Sequence, residues 1–292
     1  MTKTIQDKLA EHSNSGDPQL FQYVGTVEAY DNWTKAGLEA NDRNNFSCRA
    51  HDTDGNIVQR LDTFEMWALL PQFLDKVTAR FSTQSQSSSL KLVDFGCGTG
   101  RNTIQLLEEL SILRESSEAT PFREVVGLDV SPGILEVARS AIQTATLGAV
   151  GVISTLVLEY IPAKEFFEAA AARMLPGAYL MVTNMHADMG AIRQARFTDP
   201  QIGIKIRPTS YCHSVPEVLA AAEKAGFKAE NLLSEEGEYS VLQRAVDQQL
   251  GKALGAQAKK WVGIKVWFGV CFSKIKAGNL CLRLGGEYDS YS

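Results

Sequence analysis

The sequence lacks long apolar runs and an evident targeting segment. No stretch approaches the roughly 20 consecutive apolar residues that a helix needs to cross a bilayer. Residues 1–19 contain neither the apolar core of a secretory signal nor the Arg-rich amphipathic pattern of a transit peptide. We therefore expect a protein that has no membrane partner and stays in the cytoplasm.

Cysteine and histidine are scarce and scattered. The cysteines are odd in number and form no C-x-x-C pair; they are Cys48, Cys97, Cys212, Cys271 and Cys281. This pattern excludes a disulfide framework and a structural zinc site. The four histidines are equally dispersed, so we predict no metal site.

Blocks of basic residues are missing as well. The chain has 29 Lys and Arg against 34 Asp and Glu, a net charge of −5. This balance disfavours a nucleic-acid partner and leaves a small molecule as the expected substrate class. A chain of 292 residues, 45% of them hydrophobic, fits one large α/β domain or two small ones. The sequence does not indicate the oligomeric state.

The most informative segment is LKLVDFGCGTGRNT, residues 90–103. Its apolar start predicts a short buried strand, and the glycines that follow at Gly96, Gly98 and Gly100 let the chain turn sharply. A helix beginning near Arg101 and Asn102 would direct its free N–H groups toward the same place. The segment therefore predicts a site where a ligand lies against backbone amides.

The spacing of the glycines distinguishes between ligands. In the dinucleotide fingerprint G-x-G-x-x-G the third glycine would fall on Arg101, so an NAD(P) oxidoreductase fits poorly. The pattern D-x-G-x-G-x-G beginning at Asp94 resembles the first motif of the class I S-adenosylmethionine (SAM) dependent methyltransferases. That resemblance implies that the glycines pass the methionyl part of SAM, and that Asp94 organises the loop and the cofactor's amino group.

A second motif is VVGLDVSPGILEVAR, residues 125–139. Asp129 follows an apolar run, where an acidic side chain at the end of a neighbouring parallel strand can accept both ribose hydroxyls. Read alone, Asp129 is more often an ordinary carboxylate at a helix start; its pairing with the glycine loop favours a ribose contact. The resemblance adds Asn102, Val130 and Leu156 to the expected cofactor-binding residues.

The remaining pattern alternates strands and helices, which predicts a mostly parallel sheet with helices on both faces and an antiparallel C-terminal strand. Predicted features include a helix over 61–81 that Pro71 kinks or splits, a Pro176-Gly177 turn, a helix or helix pair over 241–261, and a closing strand over 262–273. The aromatic segment 19–33 predicts either a packing helix or a lid over a ligand. We divide the chain into a cap or lid (1–82), a SAM-binding Rossmann-like domain (83–275) and an irregular tail (276–292).

The resemblance to class I methyltransferases covers about two thirds of the chain. Within that class, the sequence is most similar to the fungal natural-product methyltransferases of nonribosomal-peptide pathways. This narrower likeness implies a role in secondary metabolism such as mycotoxin biosynthesis. One departure stands out. Only 22 residues separate Asp129 from Val152, enough for one helix, and Glu136 is the only acidic residue among them. The third, edge strand of the family and its adenine-binding carboxylate are therefore expected to be missing, as in a truncated or alternatively spliced product.

Methyl transfer needs a general base only if the acceptor atom carries a proton at working pH. His186, which follows the predicted strand 179–183, is the first candidate for that base, and a solvent-facing loop histidine is an equally good interpretation. His213 and Tyr30 are weaker candidates. The sequence predicts transfer to N or O of a small molecule, and the alternative is a non-catalytic protein of the same fold.

Overall fold

The computed structural model describes residues 21–24, 28, 57–81, 90–98, 100–116, 122–129, 148–192, 197–198, 205–232 and 241–275. The strands in these ranges are β1 Phe21–Val24, β2 Leu90–Phe95, β3 Phe122–Leu128, β4 Ala149–Thr155, β5 Met174–Met185, β6 Phe197–Thr198, β7 Lys205–Pro208, β8 Phe227–Glu230, β9 Val241–Ala245 and β10 Lys265–Lys274. The helices are α1 Ile57–Phe81, α2 Arg101–Ser116, α3 Ala163–Arg173, α4 Ala187–Gly190, α5 Val215–Lys224 and α6 Gln248–Leu254. Two 3-10 turns, Leu158–Tyr160 and Ala256–Trp261, complete the described elements.

The main sheet has the order β3-β2-β4-β5-β10-β8, and β9 also pairs with β10. The first four strands in this order are parallel to one another, and β10 runs antiparallel to β5. The far edge of β10 is shared, because β9 pairs with its first half and β8 with its second. This arrangement confirms the predicted Rossmann-like α/β fold with an antiparallel C-terminal strand.

Helices cover both faces of this sheet. On one face, α1 packs directly on β4; a Cβ added to Gly151 would lie 2.7 Å from Cδ2 of Leu92 and 3.2 Å from Cγ2 of Val77. On the other face, Phe167 of α3 packs edge-on against Phe272 of β10, with ring centroids 5.4 Å apart. The glycine on β4 therefore lets the long helix approach the sheet closely.

A second, small sheet has the order β1-β7-β6, and β1 runs parallel to β7. Of the aromatic segment 19–33, predicted to be a packing helix or a lid, only residues 21–24 and 28 are described, and residues 21–24 form a strand. Residues 130–147, where the family's third strand is expected to be missing, lie outside the described residues. Among the described strands, β3 is the edge of the main sheet.

Two local predictions are wrong, because pairing within the sheet overrides the local signal. The region 241–261 is not a helix or helix pair throughout: residues 241–245 form β9, which pairs with β10, and Asp247 then caps α6 by accepting the N–H of Leu250 at 2.7 Å. The predicted turn at Pro176 and Gly177 lies within β5, which runs through both residues with a shift of register and a φ of 82° at Gly177. Pro71 does not split α1, which continues to Phe81.

No helix in the described ranges combines the length and the apolar character that a membrane span requires. The same residues also bring together no group of three or more His, Cys, Asp and Glu side chains that could hold a metal ion.

Candidate functional site

The glycine loop leaves the carboxyl end of β2 and is fixed to the end of β3 by backbone hydrogen bonds. The N–H groups of Gly96 and Cys97 both donate to the carbonyl oxygen of Leu128, at 2.6 and 2.9 Å. The N–H of Gly100 then donates to the carbonyl of Cys97 at 2.8 Å, and α2 begins at the next residue. The loop is thus a compact turn between two parallel strands.

The glycines of this loop are required for different reasons. All three have positive φ, 82° at Gly96, 53° at Gly98 and 89° at Gly100, a region that side chains rarely adopt. A Cβ at Gly96 would also lie 2.1 Å from Cγ2 of Val157, so this residue packs against the turn after β4. A Cβ at Gly98 or Gly100 would meet no atom of the described residues within 4 Å. Their backbone therefore faces open space that a ligand can occupy.

Asp94 lies beneath the loop and has an unsatisfied oxygen. The side chain is 1% exposed, and its Oδ2 accepts a hydrogen bond from the hydroxyl of Thr103 at 2.6 Å. No described residue donates to Oδ1. Burial raises the pKa of Asp94 to about 6, although the Thr103 hydrogen bond and the guanidinium of Arg101 act to lower it. A buried carboxylate oxygen without a donor is costly, so a ligand's ammonium group would fit here.

Asn102, in the first turn of α2, has a second polar atom of this kind. Its Nδ2 donates to the hydroxyl oxygen of Thr155, at the end of β4, and to Oδ2 of Asp62 at 3.4 Å. Its Oδ1 is buried and accepts no hydrogen bond from the described part of the chain. The amide oxygen is therefore available to a donor on a ligand.

Asp129 connects the two motifs. It follows β3 directly, and its Oδ2 accepts the N–H of Gly98 at 2.9 Å. The carboxylate of Asp129 therefore lies in hydrogen-bonding contact with the glycine loop, and its contact with ribose hydroxyls stays a prediction. Val130 lies outside the described residues.

Leu156 follows β4 at the same edge of the sheet. Its φ is 57°, the only positive φ of a non-glycine residue in the described chain. Its N–H donates to the carbonyl of Thr183 at 2.9 Å, which holds the strained backbone in place. Such a conformation costs on the order of 1–2 kcal/mol in a residue with a Cβ, and strain of this kind is concentrated at functional sites.

His186 follows β5 and caps the short helix α4. Its Nδ1 accepts the N–H of Asp188 at 3.1 Å, and its Nε2 lies 3.0 Å from Oε1 of Gln243. Since Nδ1 is an acceptor, the hydrogen-bond pattern assigns the proton to Nε2, which donates to Gln243. The residue is 8% exposed, unlike the solvent-facing loop histidine that the sequence also allowed.

The structure describes one of the two weaker candidates for the base. His213 is buried, its Nε2 lies 3.0 Å from the carbonyl oxygen of Ile161, and its ring stacks on Tyr211 with centroids 5.6 Å apart. Because a carbonyl oxygen only accepts, this nitrogen is the donor. Tyr30 lies outside the described residues.

Asp62 of α1 is a buried carboxylate that the sequence interpretation missed. It is 0% exposed and accepts four hydrogen bonds. Oδ1 accepts from the Thr183 hydroxyl at 2.5 Å and from Nε1 of Trp267 at 2.9 Å. Oδ2 accepts from Nη2 of Arg101 at 2.8 Å and, at 3.4 Å, from Asn102.

A signal for this residue was present in the sequence. The buried face of α1 includes Val58, Met66, Leu69 and Phe73, and helical spacing puts Asp62 on that apolar stripe. Carboxylates are almost never fully buried unless they are paired. An acidic residue on the buried face therefore indicates partners elsewhere in the fold.

Glu159 is a third buried carboxyl in this region, after Asp94 and Asp62. It lies in the 3-10 turn that follows Leu156, and its backbone carbonyl accepts the N–H of Tyr211 at 2.6 Å. Burial raises the pKa of Glu159 to about 7, and a hydrogen bond from Tyr160 acts to lower it. Near neutral pH this carboxyl is therefore a mixture of protonated and ionised forms.

Comparison with known proteins identifies relatives over most of the chain. A family model described as a methyltransferase domain matches residues 86–280. An uncharacterized methyltransferase of Emericella nidulans is 41% identical over an alignment 308 residues long, which covers 92% of this chain and 99% of the relative.

Solved structures with a similar chain path are more distant in sequence. A SAM-dependent methyltransferase from Mesorhizobium loti is 18% identical, with a TM-score of 0.45 over 69% of this chain and 100% of the other. A phosphoethanolamine N-methyltransferase of Haemonchus contortus, in complex with phosphomonomethylethanolamine and S-adenosylhomocysteine, is 14% identical, with a TM-score of 0.41 over 70% of this chain and 52% of the other.

Proposed function

This chain belongs to the methyltransferase-domain family and is a class I methyltransferase that uses SAM, and we propose that it methylates N or O of a small natural product. We place this reaction in fungal secondary metabolism, since the relative that spans nearly the whole chain is fungal. The observation that carries the proposal is the hydrogen bond from the N–H of Gly98 to Asp129, which brings both predicted motifs to one edge of the sheet.

The residues at this edge fit the cofactor in chemical type. We assign Oδ1 of Asp94 to its ammonium group, because that buried oxygen has no donor among the described residues. The open backbone at Gly98 and Gly100 can lie against the methionyl part. Asp129 is assigned to the ribose hydroxyls.

Gly96 is also assigned to the cofactor site, because its close packing on Val157 shapes the loop. Asn102, Leu156 and Val130 complete the proposed site. Asn102 offers an amide oxygen, and Leu156 presents an apolar side chain beside the loop. Val130, next to Asp129, is assigned on the resemblance alone.

When bound, SAM supplies an electrophilic methyl carbon on its sulfonium. The residues of this chain then have three tasks: to bind the cofactor, to orient the acceptor atom in line with that carbon, and to exclude water. The carboxyl ends of β2, β4 and β5 bound the proposed site, in keeping with the general position of ligands in open α/β sheets.

A base is required only for an acceptor that is protonated at working pH, and His186 is our proposed base. To take up a proton on Nδ1, its ring must release the N–H of Asp188. The carboxylate of Asp188 lies 3.5 Å from the same nitrogen and can stabilise the resulting imidazolium. We expect His186→Gln to lower kcat and to remove an ionisation from the pH profile of kcat, with little change in cofactor affinity.

The cofactor assignment is tested by calorimetric titration with S-adenosylhomocysteine. We expect micromolar binding to the full chain and none of NADH. Asp129→Ala should weaken binding at least tenfold. Asp129→Asn should fall between the two, because its amide oxygen can still accept the N–H of Gly98 while being a poorer acceptor for ribose hydroxyls.

Glu124→Gln is the matched control, since Glu124 lies on the same strand as the Asp129 motif but pairs with Lys91 at the surface, 3.0 Å away. A folded protein that does not bind S-adenosylhomocysteine would refute the assignment and favour a non-catalytic protein of this fold. Unchanged affinity in Asp129→Ala would remove the ribose role. The acceptor class is tested by mass spectrometry of a gene-deletion strain, in which a metabolite should be lighter by one methylene unit.

A further inference from the structure

Asp62 joins the helix before the glycine loop to the loop itself. Its carboxylate has two sides with different partners. Oδ2 faces Arg101 and Asn102, the first two residues of α2, whereas Oδ1 faces the sheet residues Thr183 and Trp267. One side chain therefore connects α1, α2, β5 and β10.

Its partners lie at the edge of the sheet where the cofactor site is proposed. Trp267 of β10 is paired with Met185 at the end of β5, and Thr183 is two residues before that end. Thr155, which accepts from Asn102, ends β4. The Asp62 carboxylate is thus bonded to the first two residues of α2 and to the ends of the strands that bound the proposed site.

Arg101, the first residue of α2, attaches the start of this helix to α1. Its Nη1 donates to the hydroxyl of Thr63 at 2.6 Å and to the carbonyl of Gln59 at 3.1 Å, and its Nη2 donates to Asp62. The planar guanidinium therefore contacts three acceptor groups within the first two turns of α1, a geometry that a lysine cannot reproduce. The position at which the dinucleotide fingerprint would require a glycine carries the residue that attaches the loop to α1.

We propose that Asp62 and Arg101 are positioning residues for the cofactor site, which hold the start of α2 so that Asn102 and the loop amides face the ligand. This inference rests on the proposed cofactor site. Asp62 and the whole of α1 precede residue 86, where the match to the methyltransferase-domain family begins. The site therefore includes a helix from outside the matched domain.

The two sides of the carboxylate allow a matched test. Arg101→Gln removes a guanidinium donor on the loop side, and Thr183→Val removes the fully buried hydroxyl donor on the sheet side. Affinity for S-adenosylhomocysteine is measured by calorimetry at a temperature at which circular dichroism shows each variant to be folded. We expect Arg101→Gln to raise the Kd about tenfold, and Thr183→Val to lower the melting temperature while changing the Kd less than twofold.

Asp62→Asn and the double variant complete the cycle. Asp62→Asn should raise the Kd about tenfold, and the double variant with Arg101→Gln should be no weaker than Asp62→Asn alone, because both substitutions break the same contact between Asp62 and Arg101. Arg101→Lys retains the charge and should recover part of the affinity. If Asp62→Asn does not fold, the comparison of Arg101→Gln with Arg101→Lys and Thr183→Val still decides the matter.

Unchanged affinity in Arg101→Gln, or an equal loss in Thr183→Val, would overturn the positioning role and leave a network that serves stability alone. These results are distinguishable from a failure of the proposed function. In that case the unsubstituted chain itself would not bind S-adenosylhomocysteine, and the inference would fall with the cofactor site.

Discussion

Asp94→Asn tests the buried carboxyl beneath the glycine loop. Burial raises the pKa of Asp94 to about 6. In the ionised form, Oδ1 accepts no hydrogen bond from any described residue. A ligand ammonium group next to Oδ1 favours the ionised form and so lowers this pKa. We therefore expect cofactor binding to release a proton near pH 6, and Asp94→Asn to abolish that release.

The size of the effect follows from the pKa. A carboxyl with a pKa of about 6 is half protonated at pH 6, so binding there should release about half a proton. At pH 5 only about one tenth of the molecules are ionised, and the Kd should be about tenfold higher than at pH 7, or about 1.4 kcal/mol. Above about pH 8 an ordinary α-amino group loses its own proton. Affinity should therefore pass through a maximum between about pH 6 and pH 8.

The same pKa affects the unliganded protein. Because the folded-state pKa lies above the ordinary value of 3.8, stability is highest at low pH and falls as the pH rises from about 4 to 6. A shift of about two units corresponds to a loss of about 3 kcal/mol. Bound S-adenosylhomocysteine should offset this loss, so it should raise the melting temperature more at pH 7 than at pH 5.

The assay is calorimetry in two buffers of different ionisation enthalpy, at pH 6.0 and pH 7.5. The dependence of the observed enthalpy on the buffer gives the number of protons released. Glu124→Gln should behave as the unsubstituted chain does, since that carboxylate lies at the surface. Equal proton release at pH 6.0 with and without the Asp94 carboxyl, or undiminished affinity of Asp94→Asn at pH 7.5, would refute the ammonium contact.

Three further predictions concern the glycine loop and the buried acids and thiols. Gly96→Ala should not fold stably, because its Cβ would overlap a neighbouring side chain at 2.1 Å, whereas Gly98→Ala should fold with a loss of about 1–2 kcal/mol and of cofactor affinity; thermal melts and calorimetry distinguish them. Glu159→Gln should match the unsubstituted chain in stability near pH 4.5 and exceed it by as much as about 3 kcal/mol at pH 8. The reason is that, as the pH rises from 4.5 to about 7, the carboxyl of Glu159 ionises in the unfolded chain but stays protonated in the folded one, which lowers the stability of the unsubstituted protein. Equal urea midpoints at pH 8 would contradict this. Cys97 and Cys271, whose pKa values burial raises to about 12, should resist iodoacetamide at pH 8 until the protein is denatured, as read by peptide mass spectrometry.

The parts of the fold that could be predicted are those with a local chemical signal. Strand β2 has the predicted bounds, and α2 begins at Arg101 as expected, because glycines end one element and permit the next. The placement of Asp129 at the end of the strand next to β2 was also predicted, because the carboxyl ends of adjacent parallel strands meet at one edge of the sheet. The hydrogen bond from Gly98 to Asp129 was not predicted, since it depends on the conformation of the loop.

The parts that could not be predicted depend on partners far away in the chain. Residues 241–245 are apolar enough for a helix, and they form a strand because β10 supplies an edge more than twenty residues later. The Pro176-Gly177 pair is a turn signal by composition. It lies inside β5 because β4 pairs with β5 on both sides of it, at Met174 and from Tyr179 onward, and the shift of register falls between these pairs.

The contrast between Asp62 and Asp94 shows why burial alone does not identify a functional carboxylate. Both are almost fully buried, yet Asp62 accepts from four donors supplied by the protein, and Asp94 from one on a single oxygen. Among the described residues, the fold satisfies the first carboxylate and supplies no donor to Oδ1 of the second, and we propose that a ligand supplies that donor. Asn102 is bonded in the same way, since its amide N–H donates to Asp62 while its amide oxygen accepts from none of the described residues. In the proposed site, the contacts on the protein side of Asn102 should therefore determine how well its amide oxygen binds the cofactor.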